Sequence, residues 1–121
     1  MSPSFIEEDD RLVLMCANCR NDCIHQGQVD IYNRGDADPE GCHVRAAGKT
    51  VTVDRDLAGN PSLWQQGLAI RFVCEACHLH STLTIAQHKG RTYVEMRKSP
   101  TVELGAAFVS TTRVNDPRAG S

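Results

Sequence analysis

The apolar positions of this chain fall into short runs of strand length, several with a period of two. Arg11 to Cys16 (RLVLMC) is an apolar run that ends in a cysteine. Gly27 to Arg34 (GQVDIYNR) sets Val29, Ile31 and Asn33 on one side against Asp30 and Tyr32 on the other, the alternation of a half-buried strand. Cys42 to Leu57 divides into two strands near Ala47-Gly48, with Val51 and Val53 sharing a face. Leu68 to Val73 predicts a further strand. Ser81 to Arg97 predicts a hairpin. With Lys89-Gly90 as a two-residue turn, Ile85 meets Val94 and Leu83 meets Met96, apolar against apolar. Lysine is not the favoured first residue of such a turn, so a loop one residue longer also fits.

Helix signals are confined to one place. Asn60 can cap, Pro61 can be the first helical residue, and Gly67 can end the helix in the left-handed conformation. That predicts one or two turns. Gly35 to Gly41 (GDADPEG) reads as a loop and Asn115 to Ser121 as a disordered or tag-like end. The pattern therefore predicts a mainly β domain over residues 11–98, with little helix. A solvated acidic arm (1–10) precedes it, and a partly disordered tail (99–121) follows.

At 121 residues the chain suits one domain, and with 5% aromatic residues its core must be small and aliphatic. Such a core benefits from a metal or disulfide staple. The net charge of −2 fits neither a basic nucleic-acid coat nor an acidic disordered chain. No apolar run approaches membrane-spanning length, and Glu7, Glu8, Asp9 and Asp10 stand where a secretory signal would be basic. The expectation is a cytoplasmic protein with reduced thiols and no membrane contact.

That setting matters because the chain has six cysteines. Cys16-x-x-Cys19 and Cys74-x-x-Cys77 form two knuckles 54 residues apart, each preceded by a predicted strand, with the hairpin behind the second. A Cys-x-x-Cys turn points both sulfurs at one centre, and two such turns supply the four thiolates of a closed structural zinc site. The layout is that of a zinc ribbon with a β-rich insertion between its knuckles. A reduced compartment disfavours a disulfide framework. A thioredoxin-like redox pair would open a helix, whereas the residues after Cys77 are β-patterned. An iron site of the rubredoxin kind uses the same ligands, so zinc and iron both stay open. Four thiolates leave no open coordination position, which argues against metal catalysis and for one structural Zn2+.

Other polar residues carry weaker signals. Cys23 could replace Cys19, and Cys42-His43 could be half of a second metal site with His25, Cys23, His78 or His80, but each reads more simply as a lone thiol or a solvated or hydrogen-bonded histidine. On an extended strand Cys42 and His43 point to opposite faces, so they cannot act as a catalytic dyad. Lys89, Arg91, Arg97 and Lys98 outnumber Glu95 across residues 78–99 and, with Arg71, are candidate nucleic-acid contacts.

Four stretches together resemble a group of small, functionally uncharacterised bacterial and phage-type zinc-ribbon proteins, often carried by mobile elements. They are the first knuckle, VTVDRDLAGNPS (51–62), RFVCEAC (71–77) and LTIAQHKGRTYVEM (83–96). The resemblance implies a β-rich ribbon with Cys16, Cys19, Cys74 and Cys77 as metal ligands, and no established activity. The knuckles depart from it in lacking the Gly and Pro that ribbon turns often hold, and Cys42 has no counterpart role. The resulting expectation is a non-enzymatic module for a protein partner or self-association, with no small-molecule substrate. The alternative is a nucleic-acid-binding ribbon that uses the basic 89–98 hairpin.

Overall fold

The computed structural model describes residues 2–99. The predicted tail end at 115–121 lies outside them. Among the described residues there are eight strands and no helix: β1 (Phe5–Glu8), β2 (Arg11–Leu14), β3 (Ile24–Arg34), β4 (Gly41–Ala47), β5 (Thr50–Asp54), β6 (Gly67–Cys74), β7 (His80–His88) and β8 (Arg91–Lys98). β1 and β2 form a small sheet of their own. The other six form one antiparallel sheet in the order β5-β4-β3-β6-β7-β8. The long-range β3–β6 pair holds the centre, and a hairpin flanks it on each side.

The hairpins follow from local chemistry. Lys89 (φ 50°) and Gly90 (φ 80°) both lie in the left-handed region, the two-residue turn whose twist matches paired strands. This fixes Ile85 opposite Val94 and Leu83 opposite Met96, the register expected from the pattern. Asp9 (φ 50°) and Asp10 (φ 62°) make an equivalent turn, so the acidic arm contains a strand, β1, whose residues are all exposed. Short polar side chains tolerate that conformation better than bulky ones.

The predicted helix over 60–67 does not form. Its caps are made without it: Asn60 Oδ1 accepts the Ser62 N–H (3.0 Å) and Ser62 Oγ accepts the Gln65 N–H (2.9 Å). The backbone carbonyls that a helix would use internally instead serve other strands and loops. Trp64 O accepts from Ala37 N (2.8 Å) and Gln66 O from Gln87 N (3.0 Å). Gly67 opens β6 rather than ending a helix. A Cβ there would stand 2.0 Å from Asn60 Oδ1, so the loop can close over the strand only at glycine.

The alternation along β3 is as the pattern predicts, but the buried side is the polar one. Asp30 (8% exposed) and Tyr32 (4%) are buried, while Ile31 is 45% exposed. Cross-strand register extends this to the whole sheet. Asp30, Tyr32, His43, Arg45, Arg71 and Thr84 share one face; Val29, Ile31, Val44, Val51, Val53, Leu68, Ile70, Ile85 and Val94 share the other. The polar face is covered by the β5–β6 loop, where Gly59 packs against the Tyr32 hydroxyl and Ser62 Oγ donates to Gln87 O at 2.7 Å. At the knuckle end of the apolar face, Met96 (1% exposed) shares a pocket with Met15, Cys16 and Ala17. Farther along this face, Val51, Val53, Ile31 and Val94 are exposed.

Candidate metal centre

The two knuckles repeat one backbone design. In the first, Cys16 N donates to Asn21 O (2.8 Å) and Arg20 N to Cys16 O (3.0 Å); in the second, Cys74 N donates to Leu79 O (3.1 Å) and His78 N to Cys74 O (3.0 Å). Within each turn the residue two beyond the first cysteine donates its N–H to that sulfur, Asn18 to Cys16 and Ala76 to Cys74, both at 3.3 Å. The residue after the second cysteine takes the left-handed conformation, Arg20 at φ 67° and His78 at φ 62°. Glycine commonly fills that position, so these turns close without it at some conformational cost.

β2 and β6 deliver the knuckles to each other. Cys16 Sγ lies 3.7 Å from Cys77 Sγ, and Cys19 Sγ lies 3.6 Å from Cys74 Sγ. All four sulfurs fall within 4.8 Å of one another. A tetrahedral tetrathiolate with metal–sulfur bonds of about 2.3 Å has sulfurs about 3.8 Å apart. Disulfide bonding would require about 2.05 Å, and all six cysteines are free. The donor set and spacing therefore fit a closed structural metal site. The strand after Cys77, β7, excludes the helix that a thioredoxin-like pair would open.

The electrostatics are uneven among the four thiols. Burial pushes Cys16 up, but the N–H groups of Cys19 and Asn18, with Cys77 and Ser81, outweigh it and bring it down to about 6. Cys77 receives a lowering contact from the Leu79 backbone, yet burial and the sulfurs of Cys19, Cys16 and Cys74 push it up to about 12. Four sulfurs at this separation cannot all ionise without a cation between them.

Two supporting residues carry no sequence signal as ligands. Ser81 (1% exposed) accepts the Ala17 N–H at 3.1 Å, and Asn18 Nδ2 donates to His80 O at 3.1 Å. They tie the first knuckle to the start of β7. Among the described residues, the group close enough to hold an ion contains none of the histidines. His78 shapes its turn, and burial followed by the nearby Arg71 charge lowers His80. Cys23 is exposed beside Asp22, and its backbone carbonyl accepts from Glu75 N at 3.0 Å. His25 pairs with Glu75.

Cys42 and His43 do lie on opposite faces, because β4 is extended through them. His43 is buried (5% exposed), stacked on Tyr32 at 4.5 Å, with Nε2 2.7 Å from Asp30 Oδ1 and Nδ1 2.9 Å from Asp54 Oδ1. Asp30 Oδ1 also accepts from Arg45 Nε (2.7 Å) and Oδ2 from Gln28 (2.9 Å). Burial raises Asp30, but Arg45, His43 and Gln28 together hold it below the usual carboxylate value. This buried ionic network was legible only as isolated polar positions.

The five candidate nucleic-acid residues fall into two groups along the sheet. Arg71, Arg97 and Lys98 line a shared pocket on the polar face. Lys89 and Arg91 stand at the β7–β8 turn, and Arg91 and Arg97 are separated by roughly 20 Å of extended strand.

No protein-family model matches the chain, and no curated protein or solved structure matches it either.

Proposed function

We propose that this chain is a non-enzymatic, zinc-stabilised β module whose open apolar sheet face binds a second copy of itself. The observation that carries the reading is that face. Val51 and Val53 are 65% and 66% exposed, Ile31 and Val94 are 45% and 44%, and the register unites them with Val29, Val44, Leu68, Ile70 and Ile85 without a charged residue among them. Six strands spaced about 4.8 Å and six residues long give a flat footprint on the order of 500 Å2. Two copies together would then bury on the order of 1,000 Å2, about the threshold for a specific interface. That is toward the upper end of the apolar patches monomers leave open, and patches of that size are often functional. An open apolar sheet face is also suited to face-to-face packing with an identical sheet.

Zinc is the metal best matched to four thiolates in tetrahedral spacing, and a filled coordination shell gives it a structural role. The ribbon-like layout agrees with the resemblance to mobile-element zinc-ribbon proteins. Sedimentation equilibrium at 10–200 μM on the order of an ordinary interface affinity tests the self-association. A dimer that becomes a monomer in Ile31→Lys/Val53→Lys supports it. A wild-type monomer across that range rejects it. So would a monomer that dimerises only once residues 100–121 are removed, because that segment would then be the occupant of the face.

A further inference from the structure

On the opposite face, Arg71 has no ion pair and no side-chain hydrogen bond to any described residue. It is nevertheless half-buried in the middle of β6, where burial lowers its guanidinium from the usual value and Asp30 offsets this only in part. Asp30 is already engaged by His43, Arg45 and Gln28. An uncompensated, partly desolvated arginine is costly, and a structure keeps one where something else supplies the anion.

The surroundings supply more positive charge. Arg71 pairs across the sheet with Thr82, and Thr82 with Arg97, so two guanidinium groups flank one hydroxyl on a single rung. Arg97 has one acidic neighbour, Glu95 at 3.3 Å, and its side chain is 56% exposed. Arg71, Arg97, Lys98 and Arg45 all line one cavity of about 510 Å3, and among the described residues Asp30 is the single carboxylate in its wall. The lining therefore carries three positive charges in excess. The β5–β6 loop from Ala58 to Pro61 forms the opposite wall, with Tyr32 between. That size is typical of a small-molecule site, and arginine forks match the oxygen geometry of phosphate.

We propose that this cavity binds the phosphate group of a small phosphorylated ligand, held by Arg71 and Arg97 across Thr82. The site is independent of the apolar face, so neither reading depends on the other. Backbone phosphate of a nucleic acid would present the same chemistry, but it would need an open track to the other cations. Lys89 and Arg91 lie instead at the far end of the hairpin.

Calorimetric titration of the metal-loaded full chain with pyrophosphate at low salt tests the proposal. Submillimolar binding is expected. Arg71→Gln should weaken it at least tenfold while leaving the ligand-free melting temperature unchanged or raised, since it removes an unpaired cation. A purely structural arginine would lower that temperature. Arg97→Gln, at an exposed position that does not threaten the fold, should weaken binding as well, and Lys89→Glu/Arg91→Glu should leave it intact. Absence of pyrophosphate binding overturns the proposal. So does a single-stranded oligonucleotide that binds through Lys89 and Arg91 while pyrophosphate does not, because the cations would then belong to a nucleic-acid surface.

Discussion

The two faces of the six-stranded sheet invert the usual arrangement. The face made of Asp30, Tyr32, His43 and Thr84 is buried beneath a loop, and the face made of valines, leucines and isoleucines is largely open. Around β3 and β4 the polar face can be buried because its polar groups satisfy one another: His43 lies between Asp30 and Asp54, and Arg45 completes Asp30. The apolar face is covered at one end, where the first knuckle reaches Met96. Burial is thus decided by what a face can pair with and what the chain can bring to cover it. Hydrophobicity alone would have assigned the two faces the other way round.

Metal removal should erase the comparison altogether, because both faces depend on strands that the knuckles clamp. A structural tetrathiolate site contributes about 10–16 kcal/mol of binding free energy, comparable to or larger than the roughly 5–15 kcal/mol stability of a small domain. Chelation or Cys74→Ser should abolish the cooperative melt seen by circular dichroism. The dependence on pH has a definite sign. At neutral pH Cys16, at about 6, is already a thiolate, whereas Cys77, at about 12, must release a proton to bind. Metal affinity therefore falls as pH drops, and falls more steeply below about 6 where Cys16 also protonates; competition with a colorimetric chelator between pH 5 and 8 reads this directly.

Within the metal-bound protein, the buried polar face should be the sensitive one. Asp30→Ala leaves His43 and Arg45 without their shared acceptor and should cost about 3–5 kcal/mol in urea denaturation at pH 7. Because the Asp30 carboxyl is held below its ordinary value, its contribution is complete above about pH 4 and is lost as pH falls further. The gap between wild type and variant should accordingly narrow in acid.

The open face should respond in the opposite way. Ile31→Lys/Val53→Lys should alter monomer stability by no more than about 0.5 kcal/mol per site, since both side chains already meet solvent. Self-association should disappear. A loss of several kcal/mol instead would mean that the face is covered within the monomer. The smallest expected effect lies at the hairpin tip. Lys89→Asn places a residue that tolerates the left-handed region at φ 50° and should stabilise by about 0.5 kcal/mol, measurable as a small rise in melting temperature.

The strands and the cysteine constellation were legible in the sequence because both are carried by local spacing. Alternation defined β3 and the β7–β8 register, and the two Cys-x-x-Cys turns announced their sulfurs before any contact was known. The helix expected at 60–67 failed for a nonlocal reason: Trp64 and Gln66 give their carbonyls to Ala37 and Gln87, and Gly67 is needed for close packing. The basic residues were visible as a count, but their division between a pocket and a distant turn depends on strand pairing.

By itself, then, the sequence determined the alternation along β3, the β7–β8 hairpin register and which four thiols can meet, since each follows from short-range periodicity and backbone geometry. Only the tertiary structure decided which face is buried, that His43 lies between two carboxylates, and that Arg71 and Arg97 flank Thr82 with Arg71 in no ion pair among the described residues. Those features arise between strands distant in sequence, where burial and charge pairing are fixed by neighbours that no local pattern names.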